Sequence, residues 1–247
     1  MNLFLNPAVG APDPYRWFML AGLGISITVW LKMARRDSRL LVVYFSTLCG
    51  AFIGAKIVYL ASEGWLYWNS PFRWIIWATG KTIIGALLGG YVAAEFAKKS
   101  LGYMKTTGDM FAGIVPLGVA LGRVGCLMHG CCLGAVCAPA WYTLPDKQGI
   151  PRWPAVPMEF GFNVLAALIF WNLRRRRILL GQHFHLYLIA YGAFRFLHEW
   201  MRDTPRIVFG LSGYQIAAAA VALLGAYRFH QRQSTVAPEE EARALTA

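Results

Sequence analysis

The chain is poor in charge, and poorest in negative charge. Only 15% of its 247 residues are charged, and 12 acidic residues stand against 24 basic ones. An ordinary soluble domain carries about a quarter of its residues as charged side chains. With 57% hydrophobic residues and a mean hydropathy of +0.44, that class is excluded and a membrane protein is indicated. There is no block of basic residues on one soluble face, so the net charge of +12 does not read as a nucleic-acid surface. There is no internal repeat, which weakens an inverted-repeat transporter. The basic opening and small-residue cleavage site of a signal peptide are also missing. The first charged residue is Asp13 and the first basic one Arg16, so the first apolar run is expected to be retained. Finally, the five cysteines never take C-x-x-C spacing, which argues against the common zinc framework.

What is present is a series of apolar runs punctuated by basic clusters. Spans are expected at roughly Arg16 to Met33, Leu40 to Ala61, Thr82 to Phe96, Asp109 to Met128, Met158 to Leu173, His183 to Met201 and Leu211 to Tyr227. Each approaches the roughly 20 residues that cross a hydrocarbon core. The third is short and reads as tilted or re-entrant. The tryptophan-rich stretch EGWLYWNSPFRW suits the headgroup layer. Basic residues gather after spans one, three, five and seven: Lys32, Arg35, Arg36 and Arg39, then Lys98 and Lys99, then Arg174 to Arg177, then Arg228 onward. The positive-inside rule makes those connections cytoplasmic. The expectation is an all-α polytopic bundle of about seven transmembrane helices, N-terminus outside and C-terminus cytoplasmic. Residues 1–227 form one membrane domain, and 228–247 a polar, solvated and partly disordered tail.

The fourth span runs VPLGVALG into GRVGCLMHGCCLG. An arginine in such a run is rare unless it faces a bundle interior, and by default it marks a functional site. Span six reads YGAFRFLHEWMRD, so Tyr191, Arg195 and Glu199 recur every four residues and share one helix face. Arg202 and Asp203 continue that stripe. Lys56 and Tyr59 sit in the outer half of span two, and Glu159 opens span five from the same side. Arg123, Arg195 and Lys56 outnumber the local carboxylates. That surplus calls for an anion, and a phosphate head group is the obvious one in a bilayer. The bland alternative is an intrahelical Arg195–Glu199 pair, which is a poor source of stability in a dry span.

Cys126, Cys131, Cys132 and Cys137 flank His129. Read from spacing, they form an outer-loop disulfide (Cys131 or Cys132 with Cys137) or pack between helices. A catalytic or lipid-handling role and a soft-metal site remain alternatives. Cys49, alone in span two, reads as a packing residue.

Taken in order, these stretches resemble the prolipoprotein diacylglyceryl transferase family. GAKIVY is similar to its glycine-arginine-x-x-tyrosine stretch, and IIGALLGG to its histidine-glycine-glycine-leucine segment. GDMFAGIVPLGVALGRVG resembles the helix that leads into its signature arginine. YGAFRFLHEWMRD resembles the helix with its second arginine and glutamate, and LSGYQIA the start of its last span. The resemblance implies a seven-span enzyme of the bacterial inner membrane. Such an enzyme moves the diacylglyceryl group of phosphatidylglycerol to a cysteine thiol of a lipoprotein precursor and releases glycerol phosphate. It carries over Arg123, Arg195 and Glu199, with Asp109, Tyr59, Glu159, Tyr191 and Gln215.

The chain departs from the family at informative places. The family histidine of the third span falls on Ile84, the second-span arginine on Lys56, and the histidine ahead of the fifth span on Trp153. The signature asparagines fall on Cys126 and His129, and the signature glutamate on Cys131. The lipid-phosphate side is thus kept and the acceptor side altered. The expected catalytic set is Arg123, Arg195 and Glu199, with His129 as a proton acceptor near neutral pH. Lys56, Tyr59, Asp109, Glu159, Tyr191, Gln215, Cys126, Cys131 and Cys132 line the substrate. No metal or cofactor is assigned. The partners are a phospholipid, the bilayer, and a lipoprotein precursor or another acceptor. Rival readings are a membrane thiol enzyme built on the cysteines and a lipid or small-anion transporter.

Overall fold

The computed structural model describes residues 14–35 and 37–245. It is mostly helical: α1 (Pro14–Ala34), α2 (Arg39–Ser62), α3 (Arg73–Thr79), α4 (Ile83–Ser100), α5 (Gly108–His129), α6 (Ala155–Arg175), α7 (His183–His198) and α8 (Gly213–Leu245). Two-residue strands β1 (Leu144–Pro145) and β2 (Pro151–Arg152) form a hairpin between α5 and α6. A second hairpin, β3 (Arg206–Val208) with β4 (Leu211–Ser212), joins α7 to α8.

Among the described residues, three helices are long and apolar enough to cross a membrane: α2, α5 and α6. At a rise of about 1.5 Å per residue they are roughly 31–36 Å long, matching a hydrocarbon core of about 30 Å. A fourth crossing is available if α3 and α4 count as one span bent by 59°. The short third span corresponds to α4, and with α3 it makes a broken span or a re-entrant loop. Gly80 and an extended Thr82 interrupt it, and the Thr82 hydroxyl accepts the Gly85 N–H to start α4. The tryptophan-rich stretch is ordered here: Trp77 lies against Trp68 and Trp74, and its Nε1 donates to the Gly64 carbonyl at 2.8 Å. Where a partly disordered tail was expected from Arg228, the backbone is helical, α8 continuing to Leu245. The run EEEARAL consists of strong helix formers.

The bundle is inside-out relative to a soluble protein. Phe45, Phe52, Ile53 and Ile57 of α2 and Leu165, Leu168 and Trp171 of α6 are exposed, as lipid-facing residues must be. The interior is aromatic and polar instead. Trp30 stacks on Tyr44 with ring centres 5.0 Å apart, and Tyr187 on Tyr191 at 5.6 Å. Helices meet where side chains are absent. Gly50 and Gly54 of α2 oppose Gly85 and Gly89 of α4 so closely that a Cβ on Gly54 would strike the Gly85 carbonyl. Both helices thus present G-x-x-x-G ridges, the small-residue solution to packing in lipid.

Candidate functional site

The site is built on α5, α6, α7 and the turn after α7. Glu159, in the first turns of α6, is fully buried. Its Oε2 lies 2.8 Å from Arg123 Nη2 on α5 and 3.7 Å from Arg195 Nη1 on α7. Its Oε1 accepts the Tyr191 hydroxyl at 2.6 Å. Arg195 Nη2 donates to Glu199 Oε2 at 2.6 Å, four residues on. The helical period that puts Tyr191, Arg195 and Glu199 on one face thus aims all three at the same point. Arg202 Nε stands 3.8 Å from Glu199 Oε2, and Arg206 Nη2 donates to the Glu199 carbonyl at 3.4 Å.

Three arginines, Arg123, Arg195 and Arg202, therefore converge on two carboxylates, and Arg206 joins them through the Glu199 backbone carbonyl. Arg123 Nε, Arg195 Nη1, and Nε and Nη1 of Arg202 are buried with no hydrogen-bond acceptor among the described residues. Burying donors without a hydrogen bond costs about 1–3 kcal/mol each, offset in part for Arg195 Nη1 and Arg202 Nε by their ion pairs at 3.7 and 3.8 Å. An anion with several oxygens would satisfy them together, and arginine's fork suits phosphate.

The remaining expected residues take varied places. Gln215, on α8, is joined to the cluster: its Oε1 accepts Arg206 Nη1 at 2.6 Å and Ser212 N at 2.9 Å. Its Nε2 donates to the Phe196 carbonyl at 3.3 Å. Tyr59 is buried beside Gly80, where a Cβ would enter its ring. Lys56 donates to the carbonyls of Trp77 (2.8 Å), Gly80 (2.7 Å) and Ala78, so its ammonium fastens α2 to the break between α3 and α4. Asp109 lies at the opposite end of α5, about 21 Å from Arg123 by helical rise. There it accepts the N–H groups of Gly181 (2.6 Å) and His183 (3.3 Å) and pairs with the His183 ring at 3.5 Å. These contacts organise the start of α7 at the far side of the bundle from the arginines. His129 is the last residue of α5 and is exposed.

The expected disulfide is corrected: all five cysteines are free. Cys137 is drawn away by a ladder bond from its N–H to the Pro151 carbonyl at 3.1 Å. Cys126, Cys131 and Cys132 come together instead, with Cys126 Sγ 3.7 Å from Arg123 Nη1. The Cys132 thiol, in the loop, is held well below its ordinary pKa by hydrogen bonds from Cys126 and Cys131, with Arg123 and Arg202 adding to the effect.

Several participants escape sequence reasoning. Asn163, one turn after Glu159, donates to the Glu159 carbonyl at 2.8 Å and accepts the Tyr187 hydroxyl at 2.8 Å. Its i+4 spacing was the available signal. His198 is buried, accepts Trp153 Nε1 at 3.2 Å and stacks on Phe194 at 5.0 Å. Trp153 thus occupies the Nε2 nitrogen of His198. Arg206 lies in a hairpin outside any apolar run, so no charge-in-a-span argument reaches it. Glu63, just past α2, carries a carboxyl whose pKa is raised by burial, against a hydrogen bond from Tyr214 and the nearby charge of Arg202, which oppose the shift.

A family model described as prolipoprotein diacylglyceryl transferase matches residues 13–230. Proteins named phosphatidylglycerol–prolipoprotein diacylglyceryl transferase are similar over most of their length. That of Pseudoalteromonas atlantica is 29% identical over 221 residues, covering 84% of this chain and 77% of the relative. That of Aliivibrio salmonicida is 30% identical over 225 residues, covering 85% and 79%. That of Vibrio cholerae is 30% identical over 217 residues, covering 82% and 79%. With the arginine–carboxylate cluster of a membrane bundle and a match spanning nearly the whole sequence, this chain belongs to the prolipoprotein diacylglyceryl transferase family.

Proposed function

We propose that this protein transfers the diacylglyceryl group of phosphatidylglycerol to the cysteine thiol of a lipoprotein precursor. The observation that carries the reading is the set of unsatisfied arginine donors around Glu159 and Glu199. In the reaction the acceptor sulfur bonds to the terminal glyceryl carbon, the bond from that carbon to the phosphate oxygen breaks, and glycerol phosphate leaves with the electron pair. Negative charge grows on the leaving oxygen, and fixed donors in a dry site stabilise it most. Arg123 and Arg195 supply those donors. Glu159 and Glu199 hold the two guanidiniums in place and so act as positioning residues. Glu63 accepts the thiol proton, because burial brings its carboxyl closer to neutral pH.

The chain crosses a bacterial inner membrane about seven times, N-terminus outside. The basic clusters after alternate spans support this reading, in which α1, α7 and α8 would be the further crossings beside the longer apolar helices. The arginine cluster then lies toward the outer leaflet. Ile84 in the core and the cysteines after Arg123 rebuild the acceptor side, so the set of precursors accepted is this protein's own.

The test uses detergent-solubilised protein with phosphatidylglycerol vesicles and a synthetic precursor peptide bearing one cysteine. Glycerol phosphate should appear in step with a diacylglyceryl mass gain on that cysteine. Release of neither product would overturn the proposal.

A further inference from the structure

The three clustered cysteines take no part in the bond-making step of the transfer reaction, and the backbone is bent to assemble them. In an extended chain Cys126 and Cys131 would stand about 16 Å apart. Gly130 prevents this by taking a left-handed conformation (φ 69°) that ends α5. Cys131 N–H then donates back to the Cys126 carbonyl at 3.1 Å, the long bond of a Schellman turn. Cys132 follows at φ 60°, a left-handed conformation that a non-glycine residue holds only when its surroundings impose it. Those surroundings are two tethers beyond the turn: Gly134 N to the Trp153 carbonyl at 3.2 Å and Ala135 N to the Met201 carbonyl at 2.9 Å. The outcome is three Sγ atoms all within 4.8 Å of one another.

We propose that Cys126, Cys131 and Cys132 bind one thiophilic divalent metal ion of the zinc class through their three sulfurs. With zinc–sulfur bonds of about 2.3 Å, tetrahedral sulfurs stand about 3.8 Å apart. Rotation of the less buried Cys131 and Cys132 side chains closes the difference. Binding leaves all three sulfurs as thiolates, the remaining thiol protons passing to solvent, and three thiolates with a divalent ion leave one net negative charge. Positive groups are in place to meet it. Arg123 Nη1 lies 3.7 Å from Cys126 Sγ, and Arg202 forms a bridge to Gly134, two residues past Cys132, with Nε and Nη1 lacking an acceptor among the described residues. Three protein ligands leave a coordination position open, the arrangement of reactive more than of purely structural zinc sites. The site shares Arg123 with the proposed transfer reaction, and its test reads metal binding alone.

The test is titration of the purified full-length protein, reduced and then freed of reductant under nitrogen, with cobalt(II) as probe. The expected result is one cobalt per chain, with thiolate-to-cobalt charge-transfer absorption and the visible bands of a tetrahedral site, both removed by added zinc. The charge-transfer band is lost in C126S, C131S and C132S and kept in C49S and C137S. In the unaltered chain, zinc should also protect Cys131 and Cys132 from alkylation, a readout that needs no variant. Absence of the band while the thiols remain free would overturn the site. So would equal loss in C137S, or membranes trapped with alkylating agent in which two of the three cysteines are already disulfide-bonded.

Discussion

Glu159 is the counter-charge on which two arginines depend. It touches Arg123 at 2.8 Å and Arg195 at 3.7 Å from complete burial. Removing one partner of a buried ion pair typically destabilises by about 3–5 kcal/mol, because the other charge stays buried. Arg123→Lys keeps the charge and loses the fork, so it separates stability from phosphate recognition. Turnover should fall about 100-fold or more while the protein still elutes as one species in detergent. Near-normal turnover in this variant would take Arg123 out of the phosphate site. Glu63 gives a pH test. It is faced by Tyr214, Arg202, Glu199, Cys132, Tyr59 and Tyr67, and burial is the largest influence on it and raises its pKa. A base works deprotonated, so the rate should climb as pH rises through a pKa raised above that of an ordinary glutamate. Glu63→Gln should lower the rate and abolish the climb. An unchanged acid limb in the variant would assign the proton to another group.

Among the helices, the crossing of α2 over α4 shows most directly how sequence sets geometry in lipid. Neither helix gains from hiding apolar surface, since the lipid is as apolar as the partner. Close backbone contact at Gly50, Gly54, Gly85 and Gly89 supplies the attraction. Gly54→Leu should separate the pair and release the Lys56 anchor on the α3–α4 break, lowering the thermal midpoint and the yield of folded protein. Gly118→Ala is the matched control, since a Cβ there meets nothing within 4 Å. It should leave stability unchanged or raise it by about 0.5–1 kcal/mol. If both variants behave alike, the glycine ridge is not what holds α2 to α4.

For the molecule as a whole, function depends on which face of the membrane meets the arginines. Introduced cysteines at Ser38 and Pro145, in a background without native cysteines, report on opposite sides. An impermeant reagent added from outside should label position 145 and leave 38 unlabelled until the membrane is opened. Labelling of 38 from outside would invert the orientation and place the anion site at the cytoplasmic leaflet.

Much of this architecture was readable before any coordinates. Burial of polar backbone in lipid forces helices, so apolar length located α2, α5 and α6 to within a few residues. Charge in a span is costly enough that Arg123, Arg195 and Glu199 announced themselves. The four-residue spacing of Tyr191, Arg195 and Glu199 also reported their shared face, because helical period is a local property. Local rules could not reach the rest. That Asp109 ends beside His183 and not beside Arg123 follows from which helix ends meet. That Arg206 joins Gln215 depends on the hairpin before α8, and that Trp153 holds His198 on the path of the outer loop. The cysteine spacing pointed to a Cys137 bridge, but a glycine turn and two backbone tethers brought the sulfurs to Cys126 instead. Contacts between residues far apart in the chain are set by the mutual packing of whole helices, and neither composition nor period encodes that packing.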